Sequence, residues 1–211
     1  NDIDAVVITT PDDTHEQLSI ATAQAGKAIL LQKPMARNSQ ECRNINAVAR
    51  EADVPLYVSF MHRYMIEIEK TQALLDRQTL GQIYHIRQRN ATPGADWNAW
   101  FYSKEKVGGG VVLQLGVHGI DLLRYLFGDI ESVRAVTALQ KKERKLADGS
   151  TVRPDNEDIA LATYRFASGA LATHGMTFNE RAGTDRFRME IYGEHGAAWL
   201  RTERGRLSMY A

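Results

Sequence analysis

Gln114, His118, Asp121 and Tyr125 follow one another at steps of four, three and four residues, so on an α-helix they share a stripe. Around them Val111, Leu115, Val117, Ile120, Leu122, Leu123 and Leu126 make the helix apolar nearly all round, which predicts burial. Buried ionisable groups are costly unless paired or used. Two readings are open: His118 is a core histidine satisfied by Asp121 one turn on, or it transfers protons. Gly108, Gly109 and Gly110, just ahead of the helix, would leave room for a ligand to approach the backbone.

A second chemical signal lies far away, in Ala28-Ile-Leu-Leu-Gln32-Lys33-Pro34. Four apolar residues stop abruptly, which puts a lysine at the C-terminal end of a buried strand, where open parallel sheets bind ligands. A lysine partly desolvated there has its pKa lowered and can act as acid or base. Taken alone, Lys33-Pro34 is more often a solvated turn, since lysine tends to be exposed.

The elements that must position these residues fall into two grammars. Ile3–Pro11 reads as a buried strand running into a turn, and Thr14–Gln17 as a capping box for a helix with Leu18, Ala21 and Ala25 on one face, closed by Gly26. Strand 28–31 follows, then a helix capped by Asn38 or Ser39 and carrying Ile45, Val48, Ala49 and Ala52, then strand 54–60. That alternation means βαβ units and a parallel sheet. Beyond residue 60 come a helix over about 64–79, a strand near 82–91, and an aromatic loop with Pro93, Trp97, Trp100, Phe101 and Tyr102. After the glycine-led helix, antiparallel strands are expected near 131–140, 157–166, 170–178, 185–192 and 197–202, with Ala167–Ala170 as a hairpin turn. In 158–166, Ile159, Leu161 and Thr163 oppose Ala160, Ala162, Tyr164 and Phe166. The charged run Lys141–Lys145 with Asp148-Gly149 reads as a solvated hairpin tip. The fold class is therefore α/β plus α+β: a partial Rossmann-type parallel sheet in 1–60, then a large open antiparallel sheet in 61–211.

Composition removes several function classes. The 211 residues carry 26 basic and 26 acidic side chains, and no basic block interleaves with aromatics, so nucleic acid is not an expected partner. No run approaches ~18 uninterrupted apolar residues, so no membrane span is expected. The single Cys42 rules out an internal disulfide framework and fits a reducing, cytoplasmic compartment. The six histidines are scattered, with no zinc-type spacing and no metal expected.

Taken together, the motifs resemble the Gfo/Idh/MocA oxidoreductases, the glucose–fructose oxidoreductase and inositol dehydrogenase family. The matching runs are Val7-Ile-Thr9-Thr10-Pro11 with His15, Ala25-Gly26-Lys27 with Gln32-Lys33-Pro34, Phe60-Met-His-Arg63, Gly108-Gly-Gly with Gln114-x-Gly116-x-His118-x-x-Asp121, and Ile191-Tyr-Gly-Glu-His-Gly196. The resemblance implies an NAD or NADP cofactor, hydride transfer to or from a sugar, cyclitol or related polyol, and a dimer or tetramer formed through the antiparallel sheet. By that likeness His118 would exchange the hydroxyl proton and Lys33 would orient and polarise the oxygen. Thr9, Thr10, Pro11, His15, Gln32, Lys33 and Pro34, with Pro34 cis, would border the nicotinamide and its ribose. Arg63, Trp97, Trp100 and His118 would line the substrate; the tryptophans are otherwise core or interface aromatics.

The sequence departs from that pattern in two places. Gln32 stands where the family usually has glutamate, and Gln114 where it usually has aspartate. An amide keeps hydrogen bonds but cannot ionise, so at 114 the charge that would support the histidine is missing. Asp121 would have to supply it, or His118 works unaided, or the reaction differs from the family's usual one. There is also no Gly-x-Gly-x-x-Gly in the 211 residues. The likeness places that motif upstream of Asn1 and further strands after Ala211, so the chain is expected to be a fragment that binds a dinucleotide poorly. The alternative function is a catalytically silent dimerisation or ligand-binding module.

Overall fold

The computed structural model describes residues 2–180, 186–201 and 206–210. Its first part is a parallel sheet in the order β1 (Ala5–Ile8), β2 (Ala28–Gln32), β3 (Leu56–Ser59). Helices α1 (His15–Gln24) and α2 (Ser39–Glu51) make the crossovers. A small core of Ile8, Ala23, Ile29, Leu31, Ala36 and Ile45 sits under them. The Asn38 side chain caps α2 by accepting from the N–H groups of Gln40 and Glu41.

Two expectations about α1 are corrected. Thr14 makes no capping bond to the helix; its hydroxyl donates back to the Pro11 carbonyl, because a 3₁₀ turn over Asp12–Thr14 leads into α1. The buried face carries His15, Ser19, Thr22 and Ala23, while Leu18, Ala21 and Ala25 face outward. Small residues let α1 pack closely, and the Thr22 hydroxyl is satisfied by the Leu18 carbonyl.

After a 3₁₀ turn at Met61–Tyr64 and helix α3 (Ile66–Asp76), the chain enters strand β4 (Ile83–Ala91). A short helix α4 (Lys104–Val107) and then α5 (Val117–Phe127) lead to β5 (Ile130–Ala138). The two-residue strands β6 (Arg144–Lys145) and β7 (Thr151–Val152) pair with each other. Then come β8 (Ile159–Phe166), β9 (Leu171–Thr177), β10 (Phe187–Gly193), β11 (Gly196–Arg201) and β12 (Arg206–Tyr210). The strand expected over 185–192 is β10; its expected first residue, like residue 202 of the next strand, lies outside the described residues. No strand was expected at 206–210, where β12 extends the sheet edge.

The large sheet runs β12-β11-β10-β4-β9-β8-β5. It is antiparallel except between β4 and β9, which are parallel, so it is mixed. The β8 alternation holds: Ala160, Ala162, Tyr164 and Phe166 are buried, Leu161 and Thr163 exposed. The inner face packs on α3 and α5, with Ile68, Leu122, Leu123, Met189 and Ile191 at 0% exposure. Each such side chain contributes roughly 1.5–3 kcal/mol on burial. The outer face leaves Tyr84, Val133, Val136, Leu161 and Leu171 exposed.

Among the described residues, 104–127 is the one run long and apolar enough to cross a membrane. Half of its apolar window is buried in the protein (50%), and Gly108–Gly110 separate α4 from α5. It serves as the core support of the large sheet.

Candidate active site

Lys33 projects from the C-terminal end of β2, beyond which the Lys33–Pro34 peptide is cis. Its ammonium donates to the Gln114 carbonyl at 2.7 Å, joining the rim of the parallel sheet to the chain that leads into α5. Gln32 caps the turn by accepting from the Lys33 N–H at 2.9 Å. His15, fully buried, has Nδ1 3.0 Å from the Pro34 carbonyl and Nε2 2.9 Å from the Thr10 carbonyl. It therefore clamps the turn after β1 to the turn after β2. Thr9, Thr10 and Pro11 are exposed on that rim.

The helical stripe departs from its sequence reading in an informative way. Val112–Gly116 form a π-helical turn, a feature frequent at functional sites, and the regular 3.6-residue period starts only at Val117. Gln114 and His118 are both 7% exposed, and their side chains have different partners. The Gln114 amide donates to the carboxylate of Asp12, 102 residues away, in a short contact. Asp121 is not the partner of His118. It receives a two-pronged contact from Arg63, with Nε to Oδ2 at 2.8 Å and the terminal nitrogen on Oδ1. Arg63 also lies over the Tyr125 ring at 4.8 Å, and Tyr125 is exposed.

His118 instead stacks on His62, with centroids 4.1 Å apart. Nδ1 of both rings is buried without a hydrogen-bond partner among the described residues. Burial, the His62 ring and the Lys33 charge push His118 down to about 3. Burial and the Lys33 charge push His62 down to about 4, against the pull of Asp121. Both rings are therefore neutral near pH 7, and each can accept a proton or a hydrogen bond. Burial also pushes the Lys33 amine down, opposed by the charge of Asp12.

The glycine run makes room for protein, not ligand. Gly108 has φ +74° and sits against the Arg37 backbone, and a Cβ on Gly110 would collide with the Glu157 backbone. The Glu157 carboxylate accepts from the N–H groups of Gly110 and Val112. These contacts seat the π-turn against the rim of the first sheet, helped by Lys106 donating to Asp13 at 2.9 Å.

A cavity of about 610 Å³ is lined by Trp97, Phe101, Tyr102, Gln114, Leu115 and Arg144, among others. Lys33 and His118 do not line it; Gln114 is the residue common to the Lys33 cluster and the cavity. Trp97 is exposed on its wall, while Trp100 packs edge-on against Trp97 at 5.2 Å between centroids. Arg144, expected at a solvated tip, is 3% exposed. It donates to Asp158 Oδ2 at 3.2 Å, Asn179 Oδ1 at 2.7 Å and the carbonyls of Pro93 and Phe178 at 3.1 Å each. Sequence reasoning missed Asp12, His62 as a ring partner, and Arg144. A signal for Asp12 was present, since an acid directly after Pro11 stands at the ligand-binding end of a parallel strand.

Residues 68–199 match the GFO/IDH/MocA C-terminal domain, and residues 1–60 match an oxidoreductase family with an NAD-binding Rossmann fold. Levoglucosan dehydrogenase of Pseudarthrobacter phenanthrenivorans is 29% identical over 223 residues, covering 96% of this chain and 56% of that protein. Myo-inositol 2-dehydrogenase of Thermotoga maritima is 27% identical over 195 residues, covering 92% and 55%. Levoglucosan dehydrogenase solved in complex with NADH and levoglucosan superposes with a TM-score of 0.90 at 27% identity, covering 99% of this chain and 57% of that one. The chain thus spans about half the length of the curated relatives it matches.

Proposed function

The chain belongs to the GFO/IDH/MocA family, and from that premise we propose that it forms the reacting centre of an NAD(P)-dependent oxidoreductase acting on a sugar, cyclitol or related polyol. The observation that carries this reading is the bond from Lys33 at the end of β2 to Gln114, one turn before His118. It ties the amine at the parallel-sheet rim to the chain leading into α5, and the Lys33 charge bears on both imidazoles, which supports the reading. The family's sugar and inositol dehydrogenases support the substrate class.

The residues present fit the nicotinamide end of such a cofactor. His15 fixes two turns at the rim, and His62 and His118 each offer a buried ring nitrogen that lacks a partner among the described residues. Unpaired buried polar atoms of this kind call for a ligand to complete them. Thr9, Thr10, Pro11, Gln32, Lys33 and Pro34 would border the nicotinamide and ribose, and the cofactor when bound would supply the acceptor or donor for hydride. The sequence holds no glycine-rich phosphate motif, so these residues speak only for that end.

Hydride leaves a carbinol carbon only as its oxygen gives up a proton. His118, held neutral, receives that proton on a ring nitrogen in the oxidation direction and returns it in reduction. The Lys33 ammonium stabilises negative charge developing on the oxygen, and does so more strongly because the site is partly desolvated. Trp97 and the cavity beside Gln114 hold the rest of the polyol.

We read residues 1–60 as the cofactor-facing domain and 61–211 as the substrate and assembly domain. The exposed apolar side chains Tyr84, Val133, Val136, Leu161 and Leu171 support pairing of two copies through the outer sheet face, in a cytoplasmic setting that suits the free Cys42. The same face favours the second reading, a silent assembly module. Inositol or levoglucosan deuterated at the carbinol carbons separates the two. Deuterium appearing in the reduced nicotinamide supports the oxidoreductase; no transfer to NAD or NADP across both substrates rejects it.

A further inference from the structure

We propose that Asp12 is the counter-charge of Lys33, a positioning residue that fixes the amine at the reacting centre through their shared partner Gln114. Its part in catalysis rests on the oxidoreductase reading, whereas the pairing itself does not.

The Lys33 ammonium donates to a neutral carbonyl, that of Gln114. A buried ammonium is costly unless an opposing charge is near. The other acids around the rim are already engaged. Asp121 is held by Arg63, Asp13 by Lys106, and Glu157 by the backbone of Gly110 and Val112. Asp12 is 5% exposed, and its carboxylate accepts the Gln114 amide. Among the described residues it is the acid whose charge bears on Lys33. The other charged or titratable groups bearing on Asp12 are Asp13 and His15, and those on which Lys33 bears include His62 and His118.

Gln114 therefore has two distinct tasks: its carbonyl receives the ammonium and its side-chain amide holds the carboxylate. Three segments distant in sequence meet there: the turn after β1, the turn after β2 and the π-turn before α5. The charge that an amide at 114 cannot carry stands opposite it, on the turn after β1. With Asp12 in place Nζ keeps its proton and its direction. Without that charge Lys33 faces no anion among the described residues, and the neutral amine gains.

The test is a pH titration of the 211-residue chain carrying lysine labelled with ¹³C at Cε, the Lys33 signal being assigned by its loss in Lys33→Arg. In Asp12→Asn the Lys33 midpoint falls, giving severalfold more neutral amine at a fixed, mildly alkaline pH. Asp12→Asn combined with Gln114→Asp moves the charge across the same contact and restores the midpoint; Asp12→Glu keeps it. An unmoved midpoint in Asp12→Asn overturns the proposal, as does a double variant that titrates as low as the single one. Should Asp12→Asn unfold, Asp12→Ser, which removes the charge from a smaller polar side chain, takes its place: a fallen Lys33 midpoint upholds the pairing and an unmoved one rejects it. No cofactor, substrate or turnover enters the measurement, so its failure is distinct from failure of the oxidoreductase reading.

Discussion

The rings of His62 and His118 lie face to face, 4.1 Å between centroids and 17° from parallel. Each is kept neutral, with pKa values pushed to about 4 and about 3 from an ordinary 6.5. The unfolded chain therefore takes up protons first as pH falls. The stability these rings contribute is complete above pH 6.5 and is lost progressively as pH drops toward 4 and 3. Denaturant unfolding across that range will show the decline, and His62→Phe will make it shallower. An equal slope in the variant contradicts the assignment.

Asp121 pairs with Arg63, and its charge bears on His62 rather than on His118. Asp121→Asn leaves Arg63 without its carboxylate and is expected to cost about 1–3 kcal/mol in unfolding free energy. The His118 titration, followed by NMR, should hardly move, since Asp121 contacts Arg63 instead. A large fall in the His118 midpoint would restore the helix-stripe reading.

Arg144 and Asp158 are 3% and 2% exposed on their side chains. Arg144→Met strands the carboxylate and should cost about 3–5 kcal/mol, measured by urea unfolding. Burial pushes the Asp158 carboxyl up, but hydrogen bonds from the Gln140 and Lys141 N–H groups, Asn179 and the Arg144 charge outweigh it and bring it below its ordinary value. Its stabilisation is present above the ordinary carboxylate range and fades as pH falls below it. A cost under about 1 kcal/mol, as for an exposed pair, would contradict the buried geometry.

What was legible in the sequence is what local pattern controls. The abrupt end of Ala28–Leu31 in Gln32-Lys33-Pro34 located the sheet rim, and the period-two run 158–166 located a half-buried strand. The α1 face was misread because Ser19 and Thr22 score as polar yet bury compactly, with Thr22 bonded to its own helix. The partners of the stripe were not legible, because a π-turn is invisible to a 3.6-residue count and Asp121 is taken by Arg63 and Gln114 by Asp12. Arg144 and Asp12 could not be placed because their partners stand far along the chain: Asp158, Asn179 and Pro93 for one, Gln114 for the other.

The glycine run separates close packing from ligand access. Gly110→Ala forces a methyl group into the Glu157 backbone and is expected to destabilise by about 1–3 kcal/mol or more. Thermal unfolding checks it without any ligand. An unchanged melting temperature would return the glycines to their earlier reading as a ligand approach.

The central claim is that Lys33 and His118 act together at one reacting centre. Turnover of reduced nicotinamide by the protein carrying this chain, with inositol and levoglucosan as first substrates, tests it most directly. Lys33→Ala and His118→Ala are each expected to lower kcat by ~10²-fold or more while the protein stays folded. Rates in both variants close to that of the unsubstituted protein would contradict it.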